Sequence, residues 1–323
     1  MTAFVIRRLI GLVIVLFAIT VLTFLIFFAT PGVDPARQLA GRNPDQATVA
    51  AIRHEFGLDR PLPVRYALMM KRLFISRDLV SYGNQALEVV PAITSAAPVT
   101  FSLVIGAAVL WVFFSILLGL LAVVFRGTIL DPLRMILALI GISMPVFWLG
   151  EMLNLITQDR LHDTFLFSWV PPLGYTPLTQ NPGQWFLHLI IPWITLSVLY
   201  IGFYARVLRA NLLEIQNEDY VRTARAKGLS PRRVLVKHML RTSLITFVSL
   251  FGLDFGVLVG GGALLTEVVF GLPGVGRLTY NSLVALDLPV IMATVIYGAF
   301  FITIMSALVD ILYARLDPRI RPA

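Results

Sequence analysis

Six apolar runs, each long enough to cross a bilayer, recur along this chain at roughly 9–30, 98–125, 132–157, 186–206, 243–266 and 288–313. A membrane span needs about 20 predominantly apolar residues. Backbone amides in hydrocarbon must bond within their own segment, which leaves the helix as the available form. The runs therefore predict an all-α integral membrane protein with six transmembrane helices and exclude a soluble globular enzyme. Charge supports this, since 14% of residues are charged against about 25% in ordinary soluble domains.

The first run of about 22 residues exceeds the 7–15 of a signal-peptide apolar region, and no small-x-small site follows it. It reads as a retained helix. The chain has no cysteine, which excludes a disulfide framework and a thiolate metal site.

Net charge is +8, and its distribution decides what that means. Nine of the 26 Lys and Arg lie between Arg206 and Arg241, in one short loop between two spans. This is the positive-inside pattern rather than a nucleic-acid stripe. With Arg7 and Arg8 ahead of the first span, the N-terminus is expected in the cytoplasm, and six spans return the C-terminus to the same side. That topology puts 16 basic residues inside and 10 outside, eight of them in the long loop 31–97.

Residues 1–97 read as the first span plus a small extracytoplasmic subdomain. Thr48 to Phe56 has helical apolar spacing, Pro61 and Pro63 are expected to interrupt any helix, and Leu68 to Phe74 reads as a second amphipathic helix. Residues 98–314 hold five further spans with a basic cytoplasmic loop at about 207–241, and 315–323 form a cytoplasmic tail.

No P-loop pattern occurs, so ATP binding by that means is not expected of this chain. Gly271-Leu-Pro-Gly-Val-Gly276 lacks the lysine and preceding strand of a phosphate loop and reads as a tight turn. Histidines 54, 162, 188 and 238 are scattered without metal-ligand spacing. Three acids fall in or near spans: Glu151, Asp254 and Asp310. Asp310 is expected to pair with Arg315 or Arg319. Asp254 sits mid-span, where a charge costs at least about 2.5–3.5 kcal/mol and faces a cavity or a partner. Gly252, Gly256 and Gly260 form a doubled small-xxx-small stripe that admits a neighbouring helix. Asp254 points roughly opposite the middle of that stripe. Two readings stand at this point: Asp254 lines a translocation path, or it holds two helices together.

The polar loop Asn217–Pro231 is more ordered than topology requires. Tyr220, Thr223, Ala224 and Lys227 fall at i, i+3, i+4 and i+7, one face of a short helix. Gly228 follows as a left-handed cap, and Ser230 with Pro231 can start a second helix. A small residue beside an aromatic anchor suits docking into a cytoplasmic protein.

With those residues in view, the chain resembles a type I ABC importer permease of the dipeptide/oligopeptide branch. Glu218 to Ser230 resembles that branch's EAA loop, although Arg222 stands where the name-giving glutamate would be. Glu267-Val-Val-Phe-Gly-Leu-Pro-Gly-Val-Gly-Arg-Leu278 resembles its E-x-V-F-x-x-P-G-x-G-x-L signature. Leu316-Asp-Pro-Arg-Ile-Arg321 and Phe56 to Tyr66 match its C-terminus and its G-L-D-x-P element.

The resemblance implies the type I importer fold and one half of a peptide translocation pathway. Its implied partners are a paralogous permease subunit, two cytoplasmic ATPases that bind ATP and Mg, and an extracytoplasmic binding protein. No cofactor is implied for this chain itself. Coupling to the ATPases would run through Asp219, Tyr220, Thr223, Ala224, Lys227, Gly228 and Leu229. Asp254, Gly252, Gly256 and Gly260 would serve the pathway or helix packing. Glu267, Phe270, Pro273, Gly274 and Gly276 would form the turn near the outer gate. The implied location is a bacterial inner membrane. A secondary transporter or channel using Asp254 is the competing reading, but it leaves the ordered loop unexplained and no inverted repeat supports it. An integral-membrane enzyme lacks any catalytic constellation.

Overall fold

A computed structural model describes residues 2–28, 36–37, 40, 45–55, 57–125, 127 and 143–316. Five helices among them are long and apolar enough to span: Ile6–Phe28, Val89–Val124, Pro182–Ile215, Pro231–Gly262 and Leu288–Leu312. They account for five of the six expected spans. The remaining run, 132–157, falls partly outside the described residues, and its later part forms a helix.

In chain order, α1 is Thr2–Phe28, α2 Gln46–Glu55 and α3 Leu62–Lys71, which runs on through a π-helical turn, Arg72–Ser76. Next come α4 Val89–Val124, α5 Val146–Asn154 with a π turn Leu155–Arg160, and α6 Pro182–Ile215. The short α7 is Asp219–Ala226, followed by the span α8, Pro231–Gly262, and by α9, Leu264–Val269. The last two are α10 Val275–Ala285 and α11 Leu288–Leu316. Among the described residues, β pairing is limited to one bridge, Val80 to Glu88.

Several helices begin or end elsewhere than the sequence suggests. Pro61 and Pro63 do not interrupt α3 but open it, because a proline in the first turn lacks an N–H that would be unbonded anyway. α4 starts at Val89 and carries Pro98 inside it. At 36 residues it is about 54 Å long, so it outreaches a hydrocarbon core of about 30 Å. The basic loop shrinks for the same reason. α6 extends to Ile215 and α8 begins at Pro231, which leaves α7 as the folded centre of the connection. Gly261, at φ +110, breaks α8 where one continuous span was expected to reach 266.

The chain forms two compact units. The first comprises Met1–Thr100, Gly256–Leu264 and Pro273–Ala307. Its core joins Phe24 and Phe28 of α1, Met69 and Leu73 beside α3, Leu79, Tyr82 and Val89, and Leu288 to Ile296 of α11. The region between α1 and α4 thus folds on the end of α1 and the start of α11 rather than by itself. Here too the glycine stripe packs. A Cβ on Gly256 would lie 2.8 Å from Met305, and one on Gly260 would lie 2.9 Å from the backbone of Gly298. The two backbones meet where neither side has a side chain, the close approach that small residues permit.

The second unit comprises Phe101–Phe255, Leu265–Leu272 and Leu308–Ala323. Its centre is aromatic. Trp111 of α4 stacks on Tyr200 of α6 at 4.6 Å and meets Phe251 of α8 at 5.6 Å. Gly106 and Gly119 of α4 face Trp193 and Leu208 of α6 so closely that a Cβ at either position would collide with them.

Candidate functional site

α7 is built as the loop's spacing suggests and finishes on Gly228 at φ +77. Gly228 N–H donates to the Arg225 carbonyl at 2.9 Å and Leu229 N–H to the Ala224 carbonyl at 3.3 Å. That pair of bonds is a Schellman turn, which needs a left-handed residue and so a glycine. Ser230 occupies the N-cap position of α8 with Pro231 after it, but its hydroxyl caps nothing. Its carbonyl instead accepts from Val234 N–H at 3.0 Å.

One residue of the expected docking face is packed within the chain itself. Ala224 is buried, and so is Val221. These two form the inner side of α7 and seat it against the π-helical turn Val234–Leu240 of α8. A small side chain at 224 therefore permits close approach to the chain's own α8. Tyr220 remains 42% exposed, with its hydroxyl donating to Thr242 Oγ1 at 3.3 Å. Asp219, Thr223, Lys227 and Gly228 are exposed, and Leu229 is half-buried. Thr223 turns its hydroxyl onto the Asp219 carbonyl at 2.8 Å, and Arg222 lies 3.8 Å from the Asp219 carboxylate. The outward surface of α7 is thus a half-exposed ring among polar and basic groups.

α8 carries this seat directly to Asp254. Twenty-three residues of helix separate Pro231 from Asp254, about 35 Å at 1.5 Å per residue. Tyr204 of α6, fully buried, donates its hydroxyl to Asp254 Oδ2 at 2.6 Å. Phe247 packs on the Tyr204 ring at 4.8 Å. Asp254 is half-buried, so the carboxylate is both bonded and reachable. The bond makes it a link between α6 and α8, and both earlier readings of Asp254 remain compatible with that. Gly252, on the same helix, is buried.

The segment after α8 repeats the Schellman device. Gly271, at φ +66, follows α9, with Leu272 N–H donating to Glu267 at 2.8 Å and Gly271 N–H to Val268 at 3.2 Å. Glu267 is fully buried and Phe270 nearly so. Asn154 of α5 donates to the Val269 carbonyl at 3.1 Å, and Gly150 faces Val269 and Phe270. Gly274 is the N-cap of α10, Pro273 is exposed and Gly276 buried. Val275 N–H donates to Thr100 Oγ1 at 2.9 Å, so a span supplies the cap that α10 lacks locally.

One cluster escaped the sequence reasoning. Asp287, between α10 and α11, is buried and accepts from the Ser81 hydroxyl and from Tyr82 N–H at 3.0 Å. It fastens the segment 79–89 to the start of α11. Burial pushes the Tyr82 hydroxyl up to about 12; the Arg65 and Arg72 charges oppose that shift and Asp287 adds to it. The signal available was a lone Asp before an apolar run, which does not name a partner 206 residues away.

Along the sequence, the loop, midspan and outer-turn residues follow one another through α8 and the segment after it. The C-terminal motif 316–321, the partners expected for Asp310, and Phe56 fall largely outside the described residues.

Long apolar helices with a folded polar connection seated on one of them suit a membrane transport subunit. The chain belongs to the family of binding-protein-dependent transport system inner membrane components, which it matches over residues 115–322. The N-terminal region of such membrane components matches residues 1–104. The family comprises permease subunits rather than enzymes, set in the inner membrane by several spans and working with ATPase and substrate-binding components.

A putative peptide transport system permease protein of Brucella abortus is 36% identical, with 99% of each chain covered. A glutathione transport system permease protein of Pectobacterium atrosepticum is 36% identical over 98% of each chain. A probable D,D-dipeptide transport system permease protein of Escherichia coli is 37% identical over 96% of this chain and 95% of that one. Among solved structures, the inward-facing MetNI methionine ABC transporter matches with a TM-score of 0.55 at 17% identity, covering 71% of this chain and 97% of that one. That likeness shows the type I importer fold. The family match leaves the secondary-transporter reading without support.

Proposed function

We propose that the chain is one of two permease subunits in an ATP-driven importer of di- and oligopeptides, pairing with a paralogous subunit as a heterodimer. Relatives named for peptides, D,D-dipeptides and glutathione support a short-peptide substrate. Both termini lie in the cytoplasm, as the basic loop around α7 indicates. ATP and Mg bind to the two cytoplasmic partner subunits, and an extracytoplasmic binding protein delivers the peptide.

The observation that carries this reading is α7 itself. It is a folded helix seated on α8 through Val221 and Ala224, with Tyr220, Thr223, Lys227 and Gly228 turned outward. Movement of the ATPases against that outward surface, edged by Asp219 and Leu229, displaces α7 together with the base of α8. A helix is stiff along its axis, so the displacement reaches Asp254, which lines the pathway; beyond the break at Gly261 the chain continues into the outer-gate segment of Glu267, Phe270, Pro273, Gly274 and Gly276. The chain performs no covalent chemistry. It converts closure of its partners into access from one side or the other.

The test uses Lys227→Glu in the assembled transporter. The outward face then carries the wrong charge while the Val221–Ala224 seat is untouched. ATP-driven peptide uptake is expected to fall at least about tenfold, the scale of a lost interface anchor, with thermal stability unchanged. Normal uptake by this variant would overturn the coupling assignment.

A further inference from the structure

α3 and its π turn carry three arginines to one cavity. Arg65 and Arg72 line it from the face that Leu68 and Met69 share, at i, i+3, i+4 and i+7, and Arg60 closes it from the preceding turn. The cavity measures about 140 Å³, also borders His54 and Tyr82, and has no carboxylate among its described lining residues. Cations converging on one concave space repel one another unless an anion joins them, and arginine's planar fork fits a phosphate bidentately.

Where the cavity sits selects the anion. Its wall includes Phe24, four residues from the end of α1 at Phe28, the end opposite Arg7 and Arg8. It therefore lies at the level where a span leaves the hydrocarbon. The same π turn that holds Arg72 also exposes Phe74 and Ile75, at 56% and 75%. Two bare apolar side chains beside a cluster of cations form the pattern of a helix lying at a membrane surface. The anionic group that a bilayer presents at that depth is the headgroup phosphate, which an arginine cluster can hold bidentately.

We propose that the cavity between α3, α2 and the end of α1, lined by Arg60, Arg65 and Arg72, binds the headgroup phosphate of an anionic phospholipid. The lipid fixes the extracytoplasmic subdomain to the membrane surface.

The test follows lipid retained by the full-length chain in detergent, read by native mass spectrometry after titration with phosphatidylglycerol, phosphatidylcholine or inorganic phosphate. The wild type retains one phosphatidylglycerol in preference to phosphatidylcholine. The R65Q/R72Q variant retains it about thirtyfold less well, and Arg60→Gln, at an exposed position and safe for folding, about fivefold less well. Equal retention by wild type and Arg60→Gln overturns the proposal, as does equal retention of the two lipids by the wild type. Displacement of the lipid by an equal concentration of inorganic phosphate makes this a free-anion site and removes the lipid. Loss of binding-protein capture by the variants, with lipid retention unchanged, assigns the cavity to an acidic side chain of that protein instead.

Discussion

The turn at Gly228 and the turn at Gly271 share one hydrogen-bond pattern and differ in nearly everything around it. Each ends a short helix with a left-handed glycine, a bond from that glycine's N–H three residues back, and one from the next residue five back. At Gly228 nothing lies within 4 Å of where a Cβ would go, and residues 225–228 are exposed. At Gly271 the flanking Glu267, Phe270 and Leu272 are buried. The first turn leaves the end of its helix exposed; the second folds a carboxylate into the chain's interior. A glycine cap therefore identifies a turn, while the packing around it decides what the turn is for.

The largest expected difference comes from valine at the two glycines. Gly271→Val forces a β-branched residue to positive φ inside packed surroundings and is expected to cost about 3 kcal/mol or more in detergent thermal unfolding. Gly228→Val carries only the backbone strain, about 1–2 kcal/mol, and keeps normal membrane levels while uptake drops. Equal destabilisation by both would erase the distinction drawn between the turns.

Inside α7 the comparison can be made face by face. Val221→Asp buries a carboxylate in the seat and is expected to unseat the helix at about 2–3 kcal/mol, measured by proteolysis of the loop. Ala224→Arg behaves the same way, since Ala224 faces α8. Thr223→Ala, on the outer face, leaves cleavage unchanged.

At the far end of α8, Tyr204→Phe removes one hydrogen bond to a carboxylate, about 1.5–3 kcal/mol. Asp254→Asn keeps a bonding partner for Tyr204 but loses the charge. The pathway role predicts that Asp254→Asn lowers uptake more than Tyr204→Phe while destabilising less. A pure clamp predicts the reverse order.

The smallest effect belongs to another exposed helix end, the start of α2. Asp45 accepts from Thr48 N–H at 3.1 Å, and hydrogen bonds from Thr48 hold its carboxyl below the ordinary value of 3.8. A depressed folded value means the cap is fully present above pH 3.8 and is lost as pH falls through the lowered one. Amide exchange at Thr48 should quicken only in that acidic window. Loss near neutral pH would remove the assignment.

Much of the fold was legible because its rules are local. Hydrocarbon dictates helices, and Gly228 was readable because glycine takes φ +77 without strain. Pro61 and Pro63 were misread for a local reason too, since proline opens a helix as readily as it breaks one. Ala224 shows a different limit of a local pattern. Periodicity shows that Tyr220, Thr223, Ala224 and Lys227 share a side, but not which part of that side meets α8.

The sequence by itself determined the membrane class, the expectation of six spans and the helix–glycine–helix order of the polar connection at 217–231. These follow from solvent and backbone constraints acting within a few residues. Only the tertiary structure decided that Val221 and Ala224 point inward, that Tyr204 holds Asp254, that Gly260 meets Gly298, and that Asp287 ties down Ser81 and Tyr82. Each of those needs a partner tens to hundreds of residues away, and no local pattern specifies which distant side chain will arrive.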